Sequence, residues 1–331
     1  MLPSRHNLRR DRIMTTISQR IDSITHITEE RYTVAPPAPK SVKIELTAKC
    51  NFRCVFCAST DDLRDKAEIK RETFERVLLE MRSAGVEEIG LFYLGESFMC
   101  KWLEEAIYFA KHVAKFPYVF LTTNGSRATP ERVKTCMENG LDSLKFSLNY
   151  ADEDQFEDIA QVKKRQFHKM LDNMRAAWSI RNEVERNTGH RCGLYASYIM
   201  YDGEQGERMK AMAKSMSPFV DEMYALQLYN QAGFVTEAEA KKGMISTAGN
   251  RGRMDNLVDG LPCWALFTEG HITYDGALTG CCFSHTPDFD FGNLNEMSFL
   301  DAWNSPTAQA LRKAHLNKNV TGTACEKCFE T

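Results

Sequence analysis

The stretch AKCNFRCVFCAST (residues 48–60) concentrates three cysteines directly after the strand-like run SVKIEL (41–46). Cys50, Cys54 and Cys57 follow the spacing C-x3-C-x2-C. Three thiolates on one short loop can hold a four-metal assembly and leave one metal without a protein ligand. A zinc ion completed by a distant fourth residue is the alternative that this spacing leaves open, because structural zinc sites take four protein ligands.

Strand-like and helical segments alternate along the chain from this stretch onward. The strand-like runs are 41–46, 87–94, 118–123, 143–149, 193–201 and 222–230. The helical patterns between them span 71–84, 101–115, 130–139, 153–185 and 205–216. This alternation predicts an α/β protein whose parallel sheet curves into a partial (β/α)6 barrel. Ligands of such sheets bind where the strands end, which is where the cysteine loop lies.

The composition indicates a globular protein without a nucleic-acid or membrane-binding surface. Of 331 residues, 43% are hydrophobic and 26% are charged, and 42 basic against 45 acidic side chains give a formal net charge of −3. Neither a signal peptide nor a membrane-spanning apolar run is visible, which predicts a cytoplasmic location. Because disulfides are rare in that compartment, the eleven cysteines indicate metal or redox chemistry.

The cysteine loop, with Phe56 as the aromatic residue before its third cysteine, resembles the signature of the radical S-adenosylmethionine (SAM) superfamily. The resemblance implies a [4Fe-4S] cluster on the three cysteines, with SAM bound to the remaining iron. It also implies that the reduced cluster cleaves SAM to methionine and a 5′-deoxyadenosyl radical. An electron donor such as flavodoxin or ferredoxin would then be a partner.

Three shorter motifs follow successive strands in the order found in that family. LGES (94–97) resembles its Gly-Gly-Glu-Pro stretch, although Leu94 and Ser97 depart from it. TTNGS (122–126) resembles its Thr-Asn-Gly turn, and FSLN (146–149) resembles its Ser-x-Asp, with Asn for Asp. The resemblance assigns SAM contacts to Phe56, Gly95, Glu96, Thr123, Asn124, Ser147 and Asn149.

A second cysteine group lies near the end of the chain, where a C-x12-G-x4-C pattern is followed by C-x2-C. A four-cysteine zinc site fits this spacing equally well, and Cys282 can replace Cys281 as a ligand. Together with FGNLNEMSFLDAWNSP (291–306), the group resembles the SPASM and Twitch extensions of radical SAM enzymes. That resemblance implies the shorter Twitch form, with one auxiliary [4Fe-4S] cluster. Its implied ligands are Cys263, Cys281, Cys325 and Cys328.

Three parts are predicted along the chain. Residues 1–39 form an N-terminal arm without an assigned role, 40–240 the radical SAM core, and 241–331 a Twitch/SPASM-like auxiliary iron–sulfur domain. STAGNRGR (246–253) is interpreted as a linker. FTEGHITYDGALTGCCF (267–283) predicts a hairpin that turns at Asp275-Gly276, and a helix is expected over 298–315.

The leading functional hypothesis is dehydrogenation of a small polar molecule, such as a sugar or an aminocyclitol. A closed auxiliary cluster suits removal of an electron from a substrate radical. Peptide-modifying relatives often carry a longer N-terminal domain that binds a leader peptide. Because only about forty residues precede the first strand here, a small molecule is favoured over a leader peptide as substrate. The alternatives are a radical epimerase with Cys100 or Cys282 as hydrogen donor, a peptide-cross-linking maturase, and a non-enzymatic zinc or iron–sulfur scaffold protein.

Some residues near the strand ends are weaker candidates for substrate contacts. These are Tyr198, Tyr229, Asn230 and Gln231. Three histidines lie in the cysteine-rich C-terminal region, and no carboxylate or nucleophile pattern accompanies them. We expect His271, His285 and His315 to be ordinary core or surface residues.

Overall fold

The computed structural model describes residues 16–60, 63–235 and 247–329. Nine strands of this part of the chain form one sheet in the order β6-β5-β4-β3-β2-β1-β7-β8-β9. The strands are β1 Ser41–Ile44, β2 Glu88–Gly90, β3 Tyr118–Thr123, β4 Ser143–Ser147, β5 Gly193–Ile199, β6 Glu222–Leu226, β7 Glu269–Ile272, β8 Ala277–Thr279 and β9 Asp290–Asn293.

Helices connect the strands and cover the outer face of the sheet. The α-helices of the described residues are α1 Ile17–Thr25, α2 Arg71–Ser83, α3 Leu103–Tyr108, α4 Pro130–Glu138, α5 Glu153–Ala160, α6 Arg165–Thr188, α7 Gly203–Met216, α8 Ala265–Thr268, α9 Phe299–Trp303, α10 Pro306–Leu316 and α11 Glu326–Phe329. None of them is long and apolar enough to cross a membrane.

The six strands of the predicted core are parallel and neighbour one another in chain order. The predicted fold class, a partial barrel of βα units, is therefore confirmed. The C-terminal region adds to the same sheet, because β7 pairs with β1 in parallel and β8 and β9 continue it as antiparallel strands. The turn between β7 and β8 lies at Asp275-Gly276 as predicted, with Gly276 at a φ of 90° that favours glycine.

The strands alternate between an outer face packed on helices and an inner face that lines the barrel. On β3, Val119 and Leu121 are buried in the apolar core, whereas Tyr118, Phe120 and Thr122 lie along the interior cavity. The period of two sends successive side chains to opposite faces. The inner face is therefore rich in polar and aromatic side chains, as a ligand-binding interior requires.

Two predicted helices are each interrupted. The pattern over 153–185 corresponds to α5 and α6, because Gln161 adopts a left-handed backbone with a φ of 55° and ends α5. The pattern over 298–315 corresponds to α9 and α10. Ser305 is extended there and caps α10 through its side chain, and Pro306 lacks the N–H that a continuous helix needs.

The N-terminal arm has a structural role that the sequence did not indicate. The amides of Ile17 and Ser18, at the start of α1, donate to the Glu222 carboxylate at 2.8 and 3.3 Å. Arg20 pairs with Glu88 and lies 3.5 Å above the Tyr118 ring. Since these partners are the first residues of β6, β2 and β3, α1 covers the N-terminal end of the barrel.

The predicted domain boundary at residues 240 and 241 lies outside the described residues, so the division into a core and an auxiliary domain stays a prediction. On its C-terminal side, the predicted linker 246–253 is described from Thr247. Thr247 pairs with Tyr229, and Arg253 pairs with Leu226 at the end of β6. This segment therefore lies against the last strand of the barrel.

Candidate active site and auxiliary cysteine site

The cysteine trio lies on the loop that follows β1 and surrounds an open cavity of about 190 Å³. Cys50, Cys54 and Cys57 all line this cavity, together with basic side chains. The Sγ atom of Cys54 lies 3.0 Å from the Tyr150 hydroxyl. Within the described residues no three His, Cys, Asp or Glu side chains are placed to hold a single metal ion, so the thiols surround a space instead of converging on a point.

The three thiols are crowded and partly withdrawn from water. Burial raises the pKa of Cys50 to about 12, and the charge of Glu96 adds to the shift. Burial also raises the pKa of Cys54, and the Cys57 thiol adds to that shift. Cationic iron would reverse this preference, because metal ligation stabilises the thiolate form. The donor set and the cavity therefore fit an iron–sulfur cluster.

Gly95, from the LGES motif, touches the backbone that leads into the cysteine loop. A Cβ at this position would lie 2.0 Å from the Thr47 carbonyl oxygen, so only glycine fits. The next amide, that of Glu96, donates to the Lys49 carbonyl at 2.9 Å. The close approach of two backbones explains why a glycine stands in the loop after β2.

The Glu96 side chain joins the LGES motif to the TTNGS turn. It is buried, and its carboxylate accepts hydrogen bonds from the Thr123 hydroxyl and the backbone N–H of Asn124, both at 2.7 Å. Burial raises the pKa of Glu96, and these hydrogen bonds oppose the shift. Asn124 donates in turn to Asn51 at 3.1 Å, next to the first cysteine. Gly95, Glu96, Thr123 and Asn124 thus meet beside the cysteine loop.

Two further predicted SAM contacts lie at the end of β4. Ser147 pairs with Ser197 in the β4–β5 ladder, and the Asn149 carbonyl accepts a hydrogen bond from Tyr201 at 3.0 Å. Their side chains belong to the C-terminal end of the barrel, as the motif order required. Their predicted contacts with the SAM ribose stay predictions.

Gln231 holds the cysteine loop from the opposite side. Its side-chain amide donates to the Phe56 carbonyl, and its side-chain oxygen accepts from the Ala58 N–H at 3.2 Å. The adjacent Asn230 donates to the Cys328 carbonyl at 2.8 Å. Through these bonds the two residues join the two cysteine regions, and their contacts with a substrate stay a prediction. No motif marks either residue for this task.

Five cysteines surround a second, enclosed cavity of about 30 Å³. They are Cys263, Cys281, Cys282, Cys325 and Cys328. The predicted ligands are therefore brought together from the segment before α8, the end of β8 and the start of α11. Cys263 is crowded by Cys282, Cys325 and Cys328, and together with burial this raises its pKa. The soft donor set around one enclosed space fits an auxiliary iron–sulfur cluster.

Cys281 and Cys282 both line this cavity, so its geometry leaves the choice of ligand open. The Cys281 sulfur accepts the Phe283 amide at 3.4 Å, and the Cys282 sulfur accepts the Asn250 side-chain amide at 3.2 Å. The hydrogen bond between the two thiols lowers the pKa of Cys282 and raises that of Cys281. Ligation by Cys281 stays a prediction.

All three histidines of this region are buried. His271 lies 3.1 Å from the Glu269 carboxylate, which also pairs with Lys43 at 2.8 Å. Burial raises the pKa of Glu269, but Lys43 and His271 outweigh it and hold the pKa at about 2. Burial lowers the pKa of His315 to about 4, and burial with Arg64 and Lys66 lowers that of His285 to about 3.

The barrel interior contains a cavity of about 210 Å³, lined by aromatic and charged side chains. Its cationic lining residues are Arg20, Lys43, Lys145 and Arg253. Three of these are neutralised by carboxylates, namely those of Glu88, Glu269 and Asp22. Lys145 belongs to none of the ion pairs of the described residues, and its ammonium lies 5.8 Å from the centre of the Tyr224 ring.

Asn250 separates the barrel cavity from the auxiliary cysteine cavity and lines both. Its carbonyl accepts the Trp264 indole N–H at 2.9 Å, and Trp264 lines the barrel cavity beside Cys263. The two cavities therefore adjoin at Asn250. Sequence reasoning missed Asn250 because it lies in the segment interpreted as a linker.

The two predicted hydrogen donors lie in different places. Cys282 belongs to the auxiliary cavity. Cys100 is fully buried after a short 3₁₀ segment, and its carbonyl accepts from Arg132 at 3.0 Å. Burial raises the pKa of Cys100 to about 12. Among the remaining substrate candidates, Tyr229 lines the barrel cavity. Tyr198 lies on the face of β5 opposite that of its neighbour Ser197, near Lys210 of α7.

Comparison with known proteins gives two family matches. The radical SAM superfamily matches residues 44–216, and an iron–sulfur cluster-binding domain, SPASM, matches residues 263–329. A probable GTP 3′,8-cyclase of Methanocella arvoryzae is 31% identical over 140 residues, which are 42% of this chain and 44% of the relative. A PqqA peptide cyclase of Streptomyces rochei is 32% identical over 116 residues, 35% of this chain and 31% of the relative. This chain thus spans less than half of either relative.

Two solved structures share the fold. BtrN in complex with AdoMet and 2-DOIA has a TM-score of 0.57 at 16% identity, covering 87% of this chain and 91% of BtrN. SuiB of Streptococcus suis, bound to precursor peptide SuiA, has a TM-score of 0.61 at 16% identity, covering 84% of this chain and 67% of SuiB. At these identities the likeness is one of fold alone.

The family matches agree with the two cysteine sites. SAM, the [4Fe-4S] cluster that binds it and an auxiliary iron–sulfur centre are accordingly the cofactors of this protein. Because the radical SAM family consists of enzymes, the alternative of a non-enzymatic zinc or iron–sulfur scaffold is wrong. Because the superfamily match covers more than half of the chain and includes the cysteine trio, this protein belongs to the radical SAM superfamily.

Proposed function

We propose that this radical SAM enzyme dehydrogenates a small polar molecule that carries an anionic group and binds inside the barrel. Cys50, Cys54 and Cys57 would hold the [4Fe-4S] cluster that, with SAM, supplies a 5′-deoxyadenosyl radical. The substrate would lose a hydrogen atom from carbon, and then one electron and a hydroxyl or amine proton. A C=O or C=N bond forms as a result.

The observation that carries this proposal is the wall shared by the two cavities. Asn250 lines the barrel interior and donates to the Cys282 sulfur at 3.2 Å. Cys263, Cys325 and Cys328 would therefore hold an electron acceptor next to a substrate bound in the barrel. A substrate radical and its acceptor would be in neighbouring spaces, which suits an oxidation.

The barrel cavity supports a small substrate with negative charge. Its volume of about 210 Å³ suits a small molecule, and α1 covers its end at the N-termini of the strands. Lys145 is the cation of this cavity without a carboxylate partner among the described residues, so a phosphate or carboxylate of the substrate would complete it. A cavity lined by mixed aromatic and polar groups is typical of small-molecule sites.

Anaerobically reconstituted enzyme tests the proposal. With SAM and dithionite it should form 5′-deoxyadenosine, and a panel of phosphorylated sugars, aminocyclitols and their carboxylated relatives should yield products two hydrogens lighter. Carbon-deuterated substrate should transfer deuterium to 5′-deoxyadenosine. In Cys325→Ala/Cys328→Ala, 5′-deoxyadenosine formation should persist while the oxidised product is lost.

Cys192→Ala is the matched control, because Cys192 is buried away from both cavities next to β5. It should leave product formation unchanged. Equal product yields from the double variant and the wild type would refute an oxidative role of the auxiliary site. Solvent deuterium found in a recovered epimer, and lost in Cys282→Ala, would favour epimerisation instead.

A further inference from the structure

His315 stands at the wall of the auxiliary cysteine cavity. It lies in the last turn of α10 and is fully buried, with 0% of its surface exposed. Its ring lines the same cavity of about 30 Å³ as the five cysteines. The ring also packs edge-on against Phe329, with the two centroids 6.0 Å apart. The contact with Phe329 and the complete burial of the side chain restrict the orientation of the imidazole.

One hydrogen bond determines where the imidazole proton resides. The backbone N–H of Cys263 donates to Nδ1 of His315 at 3.1 Å. Nδ1 must therefore carry a lone pair, which places the proton of the neutral ring on Nε2. The same assignment means that Nε2 has no free lone pair. Nε2 of His315 is therefore a hydrogen-bond donor and not a metal ligand.

This Nε2–H group has no hydrogen-bond partner among the described residues, although it is sealed from solvent. Leaving a buried donor unsatisfied costs free energy, and native structures avoid that cost almost everywhere. Cys263 and Cys325, on the walls of the same cavity, belong to the set that would surround the auxiliary cluster. Thiolate and sulfide sulfurs accept hydrogen bonds, so a cluster in this cavity would satisfy the donor.

We propose that the Nε2–H of His315 donates a hydrogen bond to a sulfur of the auxiliary iron–sulfur centre and raises its reduction potential. The reduced centre carries one more negative charge and interacts more strongly with the donor, so the hydrogen bond favours reduction. His315 is thus a positioning and tuning residue of the auxiliary site. The inference depends on that centre alone and holds whatever the substrate is.

The test uses a background in which only the auxiliary centre gives a signal. Cys50→Ala, Cys54→Ala and Cys57→Ala together remove the ligands of the SAM-binding cluster. In this background His315→Met keeps apolar volume without an N–H donor, whereas His315→Gln can both accept from Cys263 and donate. The reduction potential is measured by electron paramagnetic resonance during an anaerobic redox titration, with iron and sulfide content determined in parallel.

We expect His315→Met to shift the potential to more negative values and His315→Gln to restore most of it. His190→Met is the control, because His190 bonds the Leu141 carbonyl at 2.9 Å and does not line the auxiliary cavity. It should leave the potential unchanged. A fully loaded His315→Met protein with the parental potential would overturn the inference.

A second measurement needs no substitution at position 315, which matters if His315→Met fails to retain iron. The background protein is labelled with ¹⁵N-histidine and studied by electron–nuclear double resonance of the reduced auxiliary centre. We expect a ¹⁵N coupling and a proton coupling that disappears in D₂O. Absence of both couplings contradicts the hydrogen bond directly, and loss of SAM cleavage cannot mimic that result.

Discussion

Replacing Gln231 by leucine removes the two hydrogen bonds that hold the cysteine loop without changing the size of the side chain much. In the wild type the amide of Gln231 bridges the Phe56 carbonyl and the Ala58 N–H, which flank Cys57. Position 231 has a left-handed φ of 48°, a cost that leucine and glutamine share. The substitution therefore reports the loss of the side-chain hydrogen bonds and not a change in backbone strain.

The size of the effect follows from what the substitution leaves behind. A buried carbonyl and a buried N–H both lose their partner, at about 1–3 kcal/mol each when water cannot replace it. Partial access of water at this loop brings the total to about 2 kcal/mol. Since about 1.4 kcal/mol corresponds to a factor of ten, the ratio of ligating to non-ligating loop conformations should fall more than tenfold.

The assay is an anaerobic titration of SAM into reconstituted enzyme, followed through the spectrum of the SAM-binding cluster. Gln231→Leu should weaken SAM binding by up to about tenfold and accelerate iron loss to a chelator. Gln227→Leu is the matched control, because Gln227 bonds Thr247 at 2.8 Å and does not touch the loop. If both variants bind SAM like the wild type, the bridging role of Gln231 is refuted.

Three further predictions test the close backbone contact, the interior cation and a buried carboxyl group. Gly95→Ala should lower the stability and the SAM affinity of the enzyme, because the new Cβ would lie 2.0 Å from the Thr47 carbonyl oxygen. Gly270→Ala is the control, because its Cβ would contact only side-chain atoms, the nearest at 3.3 Å. Both variants are measured by denaturation and by SAM titration. Lys145→Met should leave SAM cleavage without substrate intact but raise the KM for an anionic substrate tenfold or more, whereas an unchanged KM would remove the anion contact. Burial raises the pKa of Asp290 from 3.8 to about 7, so between these values the folded state holds a proton that the unfolded state releases, and the free energy of unfolding should fall as pH rises from about 4 to about 7. Asp290→Asn should abolish that part of the pH dependence, measured by anaerobic denaturation, and an identical slope in both proteins would contradict the assignment.

Local patterns were enough to predict much of the site. The C-x3-C-x2-C loop, the LGES and TTNGS turns and the Asp275-Gly276 hairpin each depend on a few neighbouring residues, and each lies where a strand ends or reverses. Parallel strands bring their carboxyl ends to one edge, so Gly95 and Asn124 were expected near the cysteines. Steric demands explain why position 95 is a glycine, because the Thr47 carbonyl leaves no space for a side chain there.

Long-range packing determined the rest. The pairing of α1 with three strand ends joins residues separated by 68 to 205 positions, and no local period reports such contacts. Gln231 bonds backbone groups and Asn250 bonds the side chains of Cys282 and Trp264, all on segments distant in sequence, so their residue types carried no signal. The interruption at Gln161 depends on a left-handed backbone that the helical pattern on either side concealed.

The sequence by itself determined the chemistry: two sets of soft ligands at spacings that suit iron and sulfur, on an alternating α/β chain. Only the tertiary structure decided how these sets are arranged, with a charged cavity covered by α1 and an auxiliary site behind a wall at Asn250. The reason is physical. Ligand type and spacing are local properties of a chain, whereas enclosure, unpaired charge and the direction of a buried N–H arise only when distant segments pack together.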